Sequence, residues 1–342
     1  MQPQTMAPEL SRWTADQLSG LGYRNDFRPE ALLAEASHRH FYRIHARDTA
    51  RGEQTNRPTF VVMCSPPDKE NNDQFVRLAE VFASHGIGVP EIIAKATQAG
   101  YFLLSDLGRR QFDDTYESTD RDQALAAGID TLIGIQSISD PCVPSYEAQR
   151  FRDELNIFRE WFVEAWLAEA FPSDDLNDVF ERLVANAQDQ LQCCVHRDFH
   201  CRNLLFTPDN GGHRVGVVDF QDALVGPVSY DLASLLRDCY FRFSESQIAR
   251  WRSYYLQHTP FNLDPDEFAV HMDLTAAQRQ LKAVGIFARL QLRDGKPSHL
   301  PYIAPVLSQL EALAGGHREL APLQAHLTRW HRDVEARLGP GA

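Results

Sequence analysis

The chain has 342 residues, 43% of them hydrophobic, and a formal charge of -13 at neutral pH. That length can bury a sizeable core spread over two lobes, whereas the negative charge argues against nucleic acid or an anionic membrane as the main partner. Met1 to Leu10 holds neither an apolar core nor a basic segment, no run reaches transmembrane length, and the six cysteines lack paired metal spacing. A cytoplasmic protein with reduced thiols is therefore expected. Strands are predicted at His40 to Ala46 and Thr59 to Cys64, followed by a helix from Asn72 to His85 with Phe75, Leu78, Ala79 and Phe82 on one face and Gly86 after its end. Two further strands, Glu91 to Ala96 and Tyr101 to Leu104, are joined by Thr97-Gln98-Ala99-Gly100. Beyond about residue 108 the pattern turns mainly helical. Glu147 to Trp166 sets Phe151, Leu155, Phe158, Phe162 and Trp166 at helical spacing, a stripe that reads as core, and Cys193 and Cys194 sit in an apolar stretch that reads as packed interior. Ser244-x-x-Gln247 fits a capping box, and Asp264-Pro265-x-Glu267 places a cap, an N1 proline and an N3 acid in order. The tail from Gly316 reads as a solvated helix.

The chemistry concentrates in His196-Arg197-Asp198-Phe199-His200-Cys201-Arg202-Asn203 and in Asp219-Phe220 downstream. Leu204 to Phe206 and Val215 to Phe220 read as two strands of a hairpin turning at Pro208-Asp209-Asn210-Gly211-Gly212. The midpoint between Asn203 and Asp219 is Gly211, so antiparallel pairing sets one amide oxygen opposite one carboxylate at the open end. Hard oxygen ligands of that kind suit Mg²⁺, which keeps waters and shares its coordination with substrate phosphates. Asp198, five residues before Asn203, can accept a proton from an attacking hydroxyl. His196, Asp198 and His200 also alternate as zinc ligands on a strand would, but zinc would leave Asn203 and Asp219 without a role, and no fourth ligand is evident.

His196-x-Asp198, Asn203 and Asp219-Phe220 resemble the catalytic and metal loops of the protein-kinase-like superfamily. Gly226-Pro227-Val228-Ser229-Tyr230-Asp231-Leu232-Ala233 is similar to its aminoglycoside phosphotransferase and choline kinase branch, and no Ala-Pro-Glu segment of protein kinases follows. The resemblance implies an α+β, bilobal fold: a small β-rich, nucleotide-binding N-lobe at 1–107, and at 108–342 a mainly helical C-lobe carrying the catalytic loop, metal site and acceptor pocket. Leu103 to Gly108 then resembles the inter-lobe hinge, with Ser105 and Leu107 as adenine contacts. His196 is expected to brace the loop and Asp231 to bind its backbone amides.

Finer strings narrow the resemblance. Met63-Cys64-Ser65-Pro66-Pro67, Ala36-Ser37-His38-Arg39-His40-Phe41-Tyr42-Arg43, Asp219-Phe220-Gln221-Asp222-Ala223, Ser234 to Tyr240, Gln280 to Leu290 and Arg293 to Pro297 resemble bacterial sugar kinases of cell-wall recycling. Those enzymes phosphorylate the anomeric hydroxyl of N-acetylmuramate and N-acetylglucosamine. The resemblance implies ATP and Mg²⁺, with Asp198 as base and Asn203 and Asp219 as metal ligands. Met63 stands where a phosphate-contacting lysine is expected; Met63 itself and Ser37 are candidate nucleotide contacts, with Arg39, His200 and Arg202 as the basic residues that offset the phosphate charge. Gln221, Asp222, Arg237, Asp238 and Arg293 are the candidate sugar contacts, an arginine suiting the lactyl carboxylate. No obligate protein partner is implied. An aminoglycoside or other small-molecule phosphotransferase is the alternative, which competition by a cationic antibiotic would reveal. A nucleotide-binding scaffold is the second alternative, recommended only by the missing lysine.

Overall fold

The computed structural model describes residues 5–32, 38–47, 58–209 and 212–339. In chain order the elements are α1 (Pro8–Gly20), β1 (Glu30–Leu32), β2 (His40–His45), β3 (Thr59–Cys64), α2 (Asn72–Ser84), β4 (Ile92–Ala96) and β5 (Tyr101–Ser105). There follow α3 (Arg121–Gln136), α4 (Ala148–Ile157), a π-helical segment (Phe158–Trp166), α5 (Ser173–Asp189) and β6 (Gln192–Val195). The remainder comprises β7 (Leu204–Asp209), β8 (Gly212–Val217), β9 (Leu224–Pro227), α6 (Tyr230–Leu236), α7 (Glu245–His258), α8 (Pro265–Asp294), α9 (Ile303–Gly316) and α10 (Ala321–Leu338). Two compact units result, one of residues 1–110 with 205–221, the other of 111–204 with 222–342. The sequence reading placed everything from 108 onward in one body. In the structure, the segment 205–221 groups instead with the N-terminal residues, because β8 bridges to Gly88 and the Val217 amide donates to the Gly88 carbonyl at 2.7 Å. Gly88 permits this: a Cβ there would lie 2.5 Å from the Val215 carbonyl oxygen.

The first unit is built on an antiparallel five-stranded sheet in the order β1-β2-β3-β5-β4. Alternation along the strands sends Tyr42, Ile44, Phe60, Val62 and Leu103 to a core closed by Leu10 and Leu18 of α1. On α2, Phe75 packs edge-on to Phe102 at 5.4 Å and stacks on Phe220 at 5.4 Å. Each buried aromatic contributes roughly 2–3 kcal/mol by area. Asn71 caps α2 by accepting from the Gln74 amide, and Gly86, at φ 78°, turns the chain away beyond it.

The second unit surrounds α8, a 30-residue helix capped by Asp264 as its sequence suggests. The Ser244 capping box of α7 is present in both directions. Cys193 and Cys194 are buried in β6, and all six cysteines are free. Three expectations need correction. The helix predicted from Glu147 to Trp166 changes to π-helical hydrogen bonding at Phe158. At that point Gly285 of α8 approaches so closely that a Cβ on it would meet the Phe158 nitrogen at 2.5 Å. The strand predicted to run to Phe220 stops at Val217, since Asp219 adopts φ 64°, which a strand cannot continue. The C-terminal helix is not solvated all round: Leu323, Leu327, Trp330 and Val334 recur on one face of α10 and are fully buried.

Candidate active site

In the second unit, β6 delivers the chain into the loop 196–203. Asp231, at the first turn of α6, holds that loop by its backbone: the His196 amide donates to Oδ2 at 2.6 Å and the Arg197 amide to Oδ1 at 2.9 Å. Burial pushes the Asp231 carboxyl up to about 7, against those two donors and Arg279, which pull it down. Arg197 adopts φ 77°, a left-handed conformation that costs of order 1–2 kcal/mol in a residue with a Cβ. Three contacts over-determine it: the amide bond to Asp231, a 2.7 Å bond from Nη2 to Glu154, and a 3.1 Å bond from Arg279 Nη2 to its carbonyl. His196 is fully buried. Asp238 fixes the far end of the loop, accepting from the Cys201 amide at 3.1 Å and from the Tyr240 amide at 2.8 Å.

Asp198 projects from this braced loop with 37% of its side chain exposed. Enclosure would push its carboxyl up, but Lys282, Arg197, His200 and Arg279 together hold it well below the usual carboxylate range. Arg279 Nη2 is 3.8 Å from Asp198 Oδ1, and Lys282 Nζ is 3.2 Å from Glu154 Oε1. Glu154, buried, also accepts from Tyr146 and Gln278. Burial opposes its ionisation, yet Lys282 and Arg197 lower it to about 2. Sequence reasoning assigned no role to Glu154, Arg279 or Lys282. Their signal was present: Glu154 interrupts the apolar stripe of Phe151, Leu155 and Phe158, and Arg279 and Lys282 are one turn apart on α8.

Asn203 donates Nδ2 to the Asp198 carbonyl at 2.9 Å, which orients its amide and leaves Oδ1 as the atom outside that bond. His200 lies 5.4 Å from the Tyr240 ring, edge to face. The Arg202 guanidinium stacks over Tyr240 at 3.8 Å and donates to the Tyr302 hydroxyl at 2.6 Å. Arg237 is held by Glu245 at 2.9 Å and by Asp273 at 2.9 Å. Arg293 is bound in a fork by Asp294, and the Asp222 carbonyl accepts from Arg197 Nη1 at 3.4 Å. The loop thus brings together His196, Asp198, His200, Arg202, Asn203 and Asp238, while Arg237 and Arg293 are engaged by acids elsewhere. Among the described residues, no group of three His, Cys, Asp or Glu side chains is placed to hold a metal ion.

In the first unit, Asp219 follows β8 and accepts from Gln221 Nε2 at 2.6 Å. Met63 is buried within the sheet, paired across to Phe41 and Phe102. Arg39, buried just before β2, donates Nε to Ser65 Oγ at 3.1 Å, and its Nη2 is 3.2 Å from Glu70 Oε2. The Ser105 hydroxyl accepts from the Glu91 amide at 2.8 Å, and Asp106 is bound in a fork by Arg43. Leu107 packs where Gly216 lacks a side chain. Ser37 lies outside the described residues.

A family model described as the phosphotransferase enzyme family matches residues 31–269. The N-acetylmuramate/N-acetylglucosamine kinase of Pseudomonas putida is 33% identical over 327 residues, covering 92% of this chain and 94% of that protein. Among solved structures, a choline/ethanolamine kinase family protein from Mesorhizobium loti aligns with a TM-score of 0.62 at 15% identity, covering 94% of this chain and 99% of that one. An ADP-bound aminoglycoside phosphotransferase aligns at 0.58 and 13% identity, covering 90% and 99%. The antiparallel sheet followed by helices is thus the protein-kinase-like fold of these phosphotransferases. Among the described residues, no helix is long and apolar enough to cross a membrane.

Proposed function

Because the chain belongs to the phosphotransferase enzyme family, we propose that it transfers the γ-phosphoryl group of ATP to the anomeric hydroxyl of N-acetylmuramate or N-acetylglucosamine, in the recycling of cell-wall amino sugars. The observation that carries this reading is Asp198: a carboxylate kept ionised, partly exposed, on a loop braced through Asp231. The choice of sugar is supported by the relatives' substrates.

In this reading Asp198 accepts the hydrogen bond of the sugar hydroxyl and aims its oxygen at the γ-phosphorus. The oxygen–phosphorus bond to the sugar forms as the bond to ADP breaks, and the hydroxyl proton passes to Asp198 and then to solvent. A strongly ionised aspartate is a weak base, but a loose transition state makes the hydroxyl acidic only late, so orientation matters more than basicity. Asn203 and Asp219 are the residues that would hold Mg²⁺. The fit is chemical: Asn203 Oδ1 lies outside the bond that orients its amide, and Asp219 supplies a carboxylate, two hard oxygens of the kind Mg²⁺ takes alongside water and phosphate. When bound, Mg²⁺ supplies charge neutralisation on the phosphates. Arg39 with Glu70 supports a phosphate-facing cation in place of the absent lysine, by analogy with the Lys–Glu pair of protein kinases. Leu103 to Gly108 would present backbone groups to adenine.

Incubation with ATP, Mg²⁺ and either sugar, followed by ³¹P NMR, tests the reading. A proton-coupled phosphate assigned to C1 is expected. A phosphate at another carbon overturns the anomeric assignment, and ADP formed only with a cationic antibiotic overturns the choice of acceptor.

A further inference from the structure

Residues 279, 282, 286, 289 and 293 fall on one face of α8 by helical spacing, giving the series Arg279, Lys282, Ile286, Arg289 and Arg293. Three of its four cations have acidic partners: Arg279 with Asp198, Lys282 with Glu154, Arg293 with Asp294. Arg289 is the exception. Among the described residues it forms no ion pair, and its Nε is buried without a hydrogen-bond partner. Burial, together with the neighbouring Arg293, lowers its pKa against the pull of Asp294. A partly buried guanidinium whose Nε has no hydrogen-bond partner and which forms no ion pair is unfavourable, and a carboxylate would satisfy it through two parallel bonds.

We infer that Arg289 receives a carboxylate carried by the acceptor and so sets the preference for N-acetylmuramate over the neutral N-acetylglucosamine. The inference rests on the amino-sugar reading above. Arg289 lies two helical turns beyond Lys282, ~10 Å along the axis. Long helical side chains lean back toward the N-terminus, so its guanidinium is carried toward the level of Lys282 and the Asp198 end of the helix. The reacting hydroxyl on C1 and the ether-linked acid on C3 of N-acetylmuramate are closer together than that axial interval, so the acceptor would lie with its acid toward the Arg289 end and its hydroxyl toward Asp198. Arg293, one turn further on, is more than half exposed and already held by Asp294.

The experiment compares kcat and KM on both sugars, and on the carboxamide of N-acetylmuramate, for the full-length protein and for Arg289→Met and Arg289→Lys. The expected result for Arg289→Met is a loss of roughly 100-fold in kcat/KM on N-acetylmuramate, mostly through KM, with a far smaller loss on N-acetylglucosamine. Arg289→Lys should recover part of it. In the unaltered protein the carboxamide should show a penalty comparable to that of Arg289→Met, and the two changes together should add little. Equal losses on both sugars, or a carboxamide turned over as well as the acid, would overturn the inference alone, as would an unaltered protein active only on N-acetylglucosamine. An unaltered protein that phosphorylates neither sugar would overturn the amino-sugar reading itself.

Discussion

Asp198 carries its charge among four cationic or polar neighbours, and that setting makes two predictions. Asp198→Asn should keep the melting temperature while kcat falls by roughly 10³-fold, because the amide neither accepts the proton nor orients the hydroxyl in the same way. The cations act in the opposite sense to enclosure and depress the carboxyl, so the group stays ionised from neutral pH down to below its ordinary value. Arg279→Met removes one of them. The acid limb of the kcat profile should then move to higher pH, and an unmoved limb would show that Arg279 serves only the loop backbone. Glu154 gives a stability counterpart. Its folded-state pKa of about 2 lies below the ordinary glutamate value of 4.5. Its contribution is therefore fully present above about pH 4.5 and is lost as pH falls toward 2. Glu154→Gln should make acid unfolding, followed by circular dichroism, less steep across that window.

At the scale of elements, α10 offers a direct test of a face that the sequence reading missed. Trp330 is fully buried and packs edge-on to Phe158 at 5.5 Å, so Trp330→Ala should cost about 3–5 kcal/mol in urea unfolding. A solvated helix would lose almost nothing. Strands β2 to β5 and the capped starts of α7 and α8 were legible because local rules decide them, two-residue alternation in one case and side-chain oxygens meeting backbone amides in the other, whereas the short β1 was not. The π-helical segment was not legible. Phe158 to Trp166 has ordinary helical spacing, and what accompanies its change of hydrogen bonding is the backbone of a helix more than a hundred residues away. The early end of β8 was hidden for a similar reason, since nothing local marks Asp219 for φ 64°.

Over the whole molecule, the loop 196–203 was legible because its polar residues are contiguous, whereas Glu154, Arg279 and Lys282 converge on it from separate helices and announce themselves only as charges in unexpected places. Chelation should separate chemistry from folding. EDTA is expected to abolish phosphoryl transfer, with added Mg²⁺ restoring it, while the melting temperature of the nucleotide-free protein stays constant; an EDTA-induced drop would reveal a structural metal instead. Gly285 has a broader consequence. Where two helices touch main chain to main chain, neither can roll or slide without collision, so α8 behaves as an indexed shaft with a fixed angular setting. Change of acceptor range, by natural drift or by design, would then proceed through exchange of individual side chains along the exposed edge of that shaft, and hardly at all through its rotation.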